Sequence, residues 1–480
     1  MAYNKSNALS ANIKAIETAM RLHISGEKPS QEEKDLISGF SGFGGIKDVL
    51  NIGTDKPMSD EMSEQLQKLQ QIIAEYPGFS DDAMRSNAID SIKSSVLTAF
   101  YTPKFIIEAI AKEIHGLFRK HSLTMRSFLE PSSGTGGFLP VAMDGTATYA
   151  IEKDPVTGLV LSMLHDDTNV TIDGYETISG QDLPHKSFDV IASNIPFGNF
   201  SVFDADLWKR GGIYDKATKT IHNYFFVKSM ELLNEGGLLV FITSRGVADT
   251  PGNKFVREYL VSHADLITAL RLPDNLFMET GGIEVGSDLL IFQKHTGKVL
   301  QSHREKLFIQ SSKETFNNGE TTEPINRLFT MPNTALATGS SIGMNQYGKY
   351  VRKYRWNNGT ESMGQYLSAI LKADFDRYFR KSLFLEGKTS EPFAASLFGD
   401  AEETQADRGR RAYTGKMTEW LKEGALVLMD GQTGTLKMRK SRHYDDVAVD
   451  FDPMPEDGVN MERAKDYLPL RETYFELSTK

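Results

Sequence analysis

The residues best suited to chemistry are those of Phe188-Asp-Val-Ile-Ala-Ser-Asn-Ile-Pro-Phe-Gly198, an apolar run that delivers an amide, a proline and an aromatic ring into a loop. An amino group conjugated to a ring is a poor nucleophile, because its lone pair is delocalised. Two acceptors, the Asn194 side-chain oxygen and the Ile195 backbone carbonyl, would hold its two N–H bonds and drive the lone pair towards a transferable methyl group. Pro196 stiffens the loop and restricts Ile195 to extended conformations, while Phe197 offers a face for a planar group. Such a loop is preorganised for a base turned out of its stack. The plain alternative is a surface turn after a strand.

A second constellation lies upstream. Phe128-Leu-Glu-Pro-Ser-Ser-Gly-Thr-Gly-Gly-Phe138 reads as a strand, a glycine-rich turn and a helix start. Gly134 and Gly136 let backbone N–H groups approach a ligand, and a helix start favours a carboxylate such as that of an amino-acid moiety. About 20 positions on, the run Tyr149-Ala-Ile-Glu152 ends in an acid that can accept both hydroxyls of a ribose, so a nucleoside-bearing cofactor is expected. Asp154 could serve instead, but Glu152 sits at the strand terminus.

The elements that must position these groups follow from periodicity. Residues 98–298 alternate β-rich runs with helical stretches, the pattern of an α/β, Rossmann-like parallel sheet; strands are expected at 127–130, 148–152, 170–173, 188–193, 238–243, 266–272 and 288–293. A helix over 223–233 is expected to end at Glu235-Gly236-Gly237 through a glycine C-cap. Residues 1–97 read as a helical N-terminal region, with Met62, Leu66, Leu69, Ile73 and Tyr76 on one face and Ser59 as an N-cap. Within it, Phe40-Ser-Gly-Phe-Gly-Gly-Ile46 is either a tight interhelical turn over buried aromatics or a ligand-contacting loop. Residues 299–480 form a mixed α+β C-terminal region, with a linker or mobile loop near 383–411 and a hairpin whose five-residue loop is Asp430-Gly-Gln-Thr-Gly434.

The chain has 480 residues, a formal net charge of -10 and no cysteine, which excludes disulfides, thiolate zinc sites and attack on a cytosine ring by sulfur. No compact acidic cluster suggests a two-metal site, and no metal is expected. No apolar run approaches the ~20 residues that span a bilayer and the start lacks a signal-peptide core, so a cytoplasmic location without membrane contact is expected.

On these motifs the sequence resembles the amino-methyltransferases of the N6-adenine DNA class, whose signature is Asn/Asp-Pro-Pro-Tyr/Phe. Four features occur in matching order: Ala99-Phe-Tyr-Thr-Pro103, residues 130–136, Glu152 and residues 194–197. The resemblance implies an S-adenosylmethionine-dependent methyltransferase fold and activity on N6 of adenine in DNA. By it, Thr102, Glu130, Pro131, Gly134, Gly136 and Glu152 bind S-adenosylmethionine, either Glu176 or Asp182 meets the cofactor's adenine, and residues 194–197 are catalytic. Phe277 matches an aromatic that covers the flipped base, although core packing explains it equally well. Ile195 departs from the signature, where the family has proline, but that position contributes a backbone carbonyl. A closer resemblance, over residues 40–295, is to the methylase portion of large mobile-element and phage proteins that pair methylase with helicase. Those share Ser41-Gly-Phe-Gly-Gly-Ile46, Ile221-His-Asn-Tyr-Phe-Phe226 and Arg271-Leu-Pro-Asp-Asn-Leu-Phe277, and imply DNA, and a helicase or restriction protein, as partners. No Gly-x-x-x-x-Gly-Lys-Ser/Thr occurs in this chain.

Positive charge for DNA must be local in so acidic a protein. The best candidate is Tyr347-Gly-Lys-Tyr-Val-Arg-Lys-Tyr-Arg-Trp356, with Lys349, Arg352, Lys353, Arg355 and Trp356 as contacts; a strand with a solvated basic face is the alternative. Lys437-Met-Arg-Lys-Ser-Arg442 and Arg408-Gly-Arg-Arg411 are secondary candidates. Two rival functions share these features: methylation of a protein glutamine amide, and a catalytically silent DNA-binding subunit that keeps the fold.

Overall fold

The computed structural model describes residues 4–54, 59–96, 100–178, 188–316, 321–345, 348, 350–389, 411–413, 421, 425–429, 432–440, 447–453, 468 and 471. The chain divides into two compact units, residues 1–392 and 393–480.

The first unit is built on seven strands: β1 (Ser127–Glu130), β2 (Ala147–Glu152), β3 (Asn169–Ile172), β4 (Phe188–Asn194), β5 (Leu233–Ser244), β6 (Ala264–Arg271) and β7 (Ser287–Lys294). They lie in the order β3-β2-β1-β4-β5-β7-β6. The pairs β2–β3, β1–β2, β1–β4 and β4–β5 are parallel, whereas β7 runs antiparallel to both β5 and β6. The expected parallel sheet therefore has one reversed strand, because the short connection from Arg271 to Ser287 carries no crossover helix to bring the chain back to its starting edge. Strands buried on both faces must be apolar throughout, and Leu238, Leu239, Val240, Phe241 and Ile242 are all fully buried between two helical layers. Strand order reverses between β1 and β4, the place where doubly wound sheets open a crevice at their carboxyl edge.

The helix Asp60–Glu75 starts at Ser59, whose side chain accepts from the Met62 amide, and buries Met62, Leu66, Leu69 and Ile73 as the heptad-like spacing requires. The turn at 40–46 buries Phe40, Phe43 and Ile46 in the core of this helical layer. The helix Ile221–Leu232 passes directly into β5 through an extended Leu233, so Gly236 is not its cap. Instead Gly236, at φ 72°, lies against backbone: a β-carbon there would come within 2.3 Å of the Leu383 carbonyl. That approach seats the helix Lys381–Thr389, with Leu383 and Phe384 buried, where a linker is expected. The rest of that expected linker, 390–410, lies outside the described residues.

Two hairpins follow β7 in this unit, β8 (Ser311–Phe316) with β9 (Thr321–Asn326) and β10 (Gly339–Met344) with β11 (Tyr350–Arg355). The second unit contains a sheet of β12 (Arg411–Ala412), β13 (Leu426–Met429), β14 (Gln432–Lys440) and β15 (Val447–Pro453) around Val427, Leu436 and Phe451. Met429 pairs with Gln432, so the hairpin closes sooner than the five-residue loop expected from its Asp-Gly start. No helix among the described residues is long and apolar enough to cross a membrane.

Candidate active site

At the carboxyl edge of the sheet a cleft of about 2790 Å³ is lined by residues from both motifs and from the segments around them. Its floor is the turn after β1. Gly134 and Gly136 have φ of 54° and 82°, a region open to glycine at little cost. Their α-carbons must also stay bare: a β-carbon on Gly134 would lie 2.3 Å from the Tyr101 ring, and one on Gly136 2.5 Å from Leu139. Tyr101 in turn rests against Gly42, where a β-carbon would stand 2.5 Å from its ring. The glycine turn at 40–46 thus supports the cleft through Tyr101 and does not line it.

The acids are held by the same turn. One Glu130 oxygen accepts from the Phe138 amide at 3.0 Å; the other is buried and has no hydrogen-bond partner. Burial pushes the Glu130 carboxyl well above its ordinary value, against the pull of the Phe138 amide. Glu152 ends β2 and accepts from the amides of Gly134 (2.7 Å) and Asp154 (2.8 Å), yet loss of water raises its carboxyl to about 7. Asp154 also lines the cleft and caps the helix Pro155–Leu164, one oxygen accepting from Thr157 N at 2.6 Å and the other buried without a partner. Thr102 is buried with its hydroxyl oxygen unpartnered. Pro131 lines the cleft, as does Glu176, which is paired with Lys153. Asp182 lies outside the described residues.

Opposite the turn, β4 delivers residues 194–197. The Asn194 amide nitrogen donates to the Phe100 carbonyl at 2.7 Å; since that carbonyl can only accept, the amide is oriented with Oδ1 away from it, and Oδ1 is buried without a partner. Ile195 N donates to the Ile242 carbonyl at 3.0 Å, and the Ile195 side chain is buried in the core. Proline there would lack that N–H, so isoleucine extends the β4–β5 ladder by one bond. Pro196 and Phe197 line the cleft. Ser193 Oγ donates to the Ser132 carbonyl at 2.9 Å, tying the loop that follows β4 to the glycine turn after β1.

The N-6 DNA Methylase family model matches residues 83–331, just over half of the chain. The chain belongs to the N-6 DNA methylase family. This methylase is also similar to Defense against restriction protein B of Escherichia phage P1, at 26% identity over 208 residues that make up 43% of this chain and 9% of that protein; the chain thus spans only about a tenth of that relative's length. Among solved structures it aligns with the type I restriction-modification system methyltransferase subunit from Streptococcus thermophilus, at 12% identity and a TM-score of 0.35 over 59% of this chain and 66% of that one. It aligns also with the M protein of the type I restriction enzyme EcoKI, at 13% identity and a TM-score of 0.34 over 81% and 93%.

Two expected contacts of the methylase are turned inward. Phe277 is fully buried and stands apart from the cleft lining, in the core beneath β6 and β7. Trp356 is buried as well, with its indole N–H donating to the Gly359 carbonyl at 2.9 Å. Both fill space between the sheet and the helices that cover it, which a strand-end aromatic does as readily as it faces a ligand. Arg352 and Lys353 do line the cleft, but Arg352 is paired with Glu314 and Lys353 with Glu284, which also holds Arg355. Lys349 lies outside the described residues; of the secondary candidates, Lys437, Met438, Arg439 and Lys440 run along β14, Arg411 is in β12 and the rest also lie outside.

Sequence reading misses the groups that fasten this wall. Arg245 donates to Asp274 (2.7 Å) and to the Arg352 carbonyl (3.0 Å), and Asp274 accepts from the Tyr354 amide at 2.6 Å. The Arg271-to-Phe277 motif is therefore a clamp for the β10–β11 hairpin, and only its charged residues in an apolar run hinted at this. His222 and Asn253, 3.3 Å apart, also line the cleft; burial lowers the His222 imidazole to about 4, so it stays neutral at physiological pH.

Proposed function

We propose that this methylase transfers the methyl group of S-adenosylmethionine to the N6 amino group of an adenine turned out of DNA into the cleft. The observation that carries the reading is the Asn194 amide, whose nitrogen is committed to the Phe100 carbonyl while its buried oxygen has no partner. An unpaired buried acceptor costs roughly 1–3 kcal/mol. A ligand donor that relieves it is the physical reason to keep it.

The residues present fit the cofactor. Unpartnered Glu130 and Thr102 oxygens, the bare Gly134 and Gly136 and the Glu152 carboxylate at a strand end suit an amino-acid moiety and a ribose. When bound, S-adenosylmethionine supplies an electrophilic methyl on a sulfonium. Asn194 Oδ1 and the Ile195 carbonyl accept the two N–H bonds of the amine and so aim its lone pair. Phe197 and Pro196 form the wall a planar base lies against.

The inward-facing Ile195 weighs against a silent subunit, because its side chain is core and the backbone carbonyl at that position is retained. The test is incubation of plasmid DNA with radiolabelled methyl donor and nucleoside analysis. Label in N6-methyladenine supports the reading, and label in protein glutamine would replace it. Asn194→Ala should lower transfer by at least a hundredfold while cofactor affinity stays within a few-fold; equal turnover of the variant and wild type would end the mechanism.

A further inference from the structure

Immediately after the catalytic loop the chain presents three exposed aromatic rings: Phe200 (46% exposed), Phe203 (73%) and Trp208 (57%). Phe200 and Phe203 lie on the lining of the cleft, within six residues of Phe197. Phe203 and Trp208 face each other with ring centroids 6.5 Å apart. Leaving an aromatic ring in water sacrifices much of the free energy its burial would give.

The backbone on both sides of Phe203 is nevertheless fixed. Val202 packs against the core and its amide donates to the Thr218 carbonyl at 2.8 Å. Asp204 is buried, accepts from Lys228 Nζ (2.8 Å) and Tyr224 (2.9 Å), and caps the helix Ala205–Arg210. Phe200 O accepts from the Ile221 amide at 2.9 Å. The ring of Phe203 is thus held outward by a well-anchored support, which distinguishes it from an aromatic on a slack loop.

We propose that Phe203 stacks in the DNA duplex beside the target adenine and holds open the gap that the adenine leaves. The inference rests on the reading of the cleft as an adenine methyltransferase site. DNA is the occupant favoured here because the ring borders the pocket that would receive the base, and because Lys209 and Lys216, which follow within 13 residues, carry no ion pair among the described residues, whereas Arg210 is paired with Glu231 and Lys219 with Asp215. A base step must be unstacked before its base enters the cleft, and an apolar wedge offsets part of that loss.

The test uses the full chain. Wild type first maps the methylated adenine in plasmid DNA; absence of any methylated adenine would overturn the parent reading and this one with it. On a duplex containing that site, Phe203→Ala should lower kcat/KM about tenfold, the weight of one stacked base, and Phe203→Trp should restore it. On the same duplex with a mismatch opposite the adenine, where pairing is already broken, Phe203→Ala should lose less than threefold. With 2-aminopurine in place of the adenine, the fluorescence rise on binding seen for wild type should be mostly lost in the Ala variant. Cofactor affinity and melting temperature should match wild type. Equal losses on paired and mismatched duplexes, no loss on either, or an altered oligomeric state in the variant would each overturn the proposal, the last by assigning Phe203 to a protein interface.

Discussion

The two ends of the Asn194 amide stand in different surroundings: the nitrogen donates to the Phe100 carbonyl, and the oxygen is buried without a hydrogen-bond partner. Glu152 invites a test at the same scale. Loss of water raises its carboxyl from 4.5 to about 7. Below 4.5 the group is neutral in folded and unfolded chains alike; between 4.5 and about 7 only the unfolded chain ionises, so this group's contribution to stability falls as pH rises. The difference in melting temperature between wild type and Glu152→Gln should therefore shift against wild type across that interval. Cofactor affinity should run the other way, because ribose hydroxyls donate to the ionised form. Calorimetric titration should show binding strengthening as pH rises through about 7, and a nearly flat profile for Glu152→Gln. A wild-type profile flat over the same range would exclude the carboxylate's role.

The elements around the site depend on close backbone approaches and on buried charge. Gly134→Ala would place a β-carbon 2.3 Å from the Tyr101 ring at a φ of 54°. The left-handed backbone alone costs an alanine roughly 1–2 kcal/mol. Displacing Tyr101 disturbs the 40–46 turn as well, so the variant should lose cofactor binding by more than tenfold with a lowered melting temperature. The pair Lys228–Asp204, 2.8 Å apart and buried, anchors the segment after the Asn-Ile-Pro-Phe loop. Lys228→Met leaves Asp204 buried without its cation and should cost about 3–5 kcal/mol in denaturant unfolding. Adding Asp204→Asn should recover part of that loss, since the uncompensated charge is then gone.

For the whole molecule, the described residues that line the cleft belong to residues 1–392, whose cores are made within that unit, while Val427, Leu436 and Phe451 form a core of their own. A protein ending at residue 392 should fold cooperatively and bind S-adenosylmethionine with unchanged affinity, measured by calorimetry; failure to bind would mean that residues beyond 392 complete the cofactor site. The net charge of -10 and the pairing of Arg352, Lys353 and Arg355 with Glu314 and Glu284 keep the positive field of β11 low.

The sequence by itself determined six of the seven strands to within two residues at each end, with β5 starting five residues before its expected start, and brought the glycine turn, Glu152 and the Asn-Ile-Pro-Phe loop to one edge. Strand burial demands continuous apolar runs, and parallel strands leave the loops that succeed them at a common carboxyl edge. The reversed β7, the helix that occupies the first residues of an expected linker and the inward turn of Phe277 and Trp356 were decided only by the tertiary structure. Composition cannot say which side of a sheet an aromatic ring faces, because core and cleft reward the same apolar surface. Nor can it show that Gly236 admits Leu383, or that Asp274 holds a hairpin 80 residues away, because those contacts come into being only when distant segments meet.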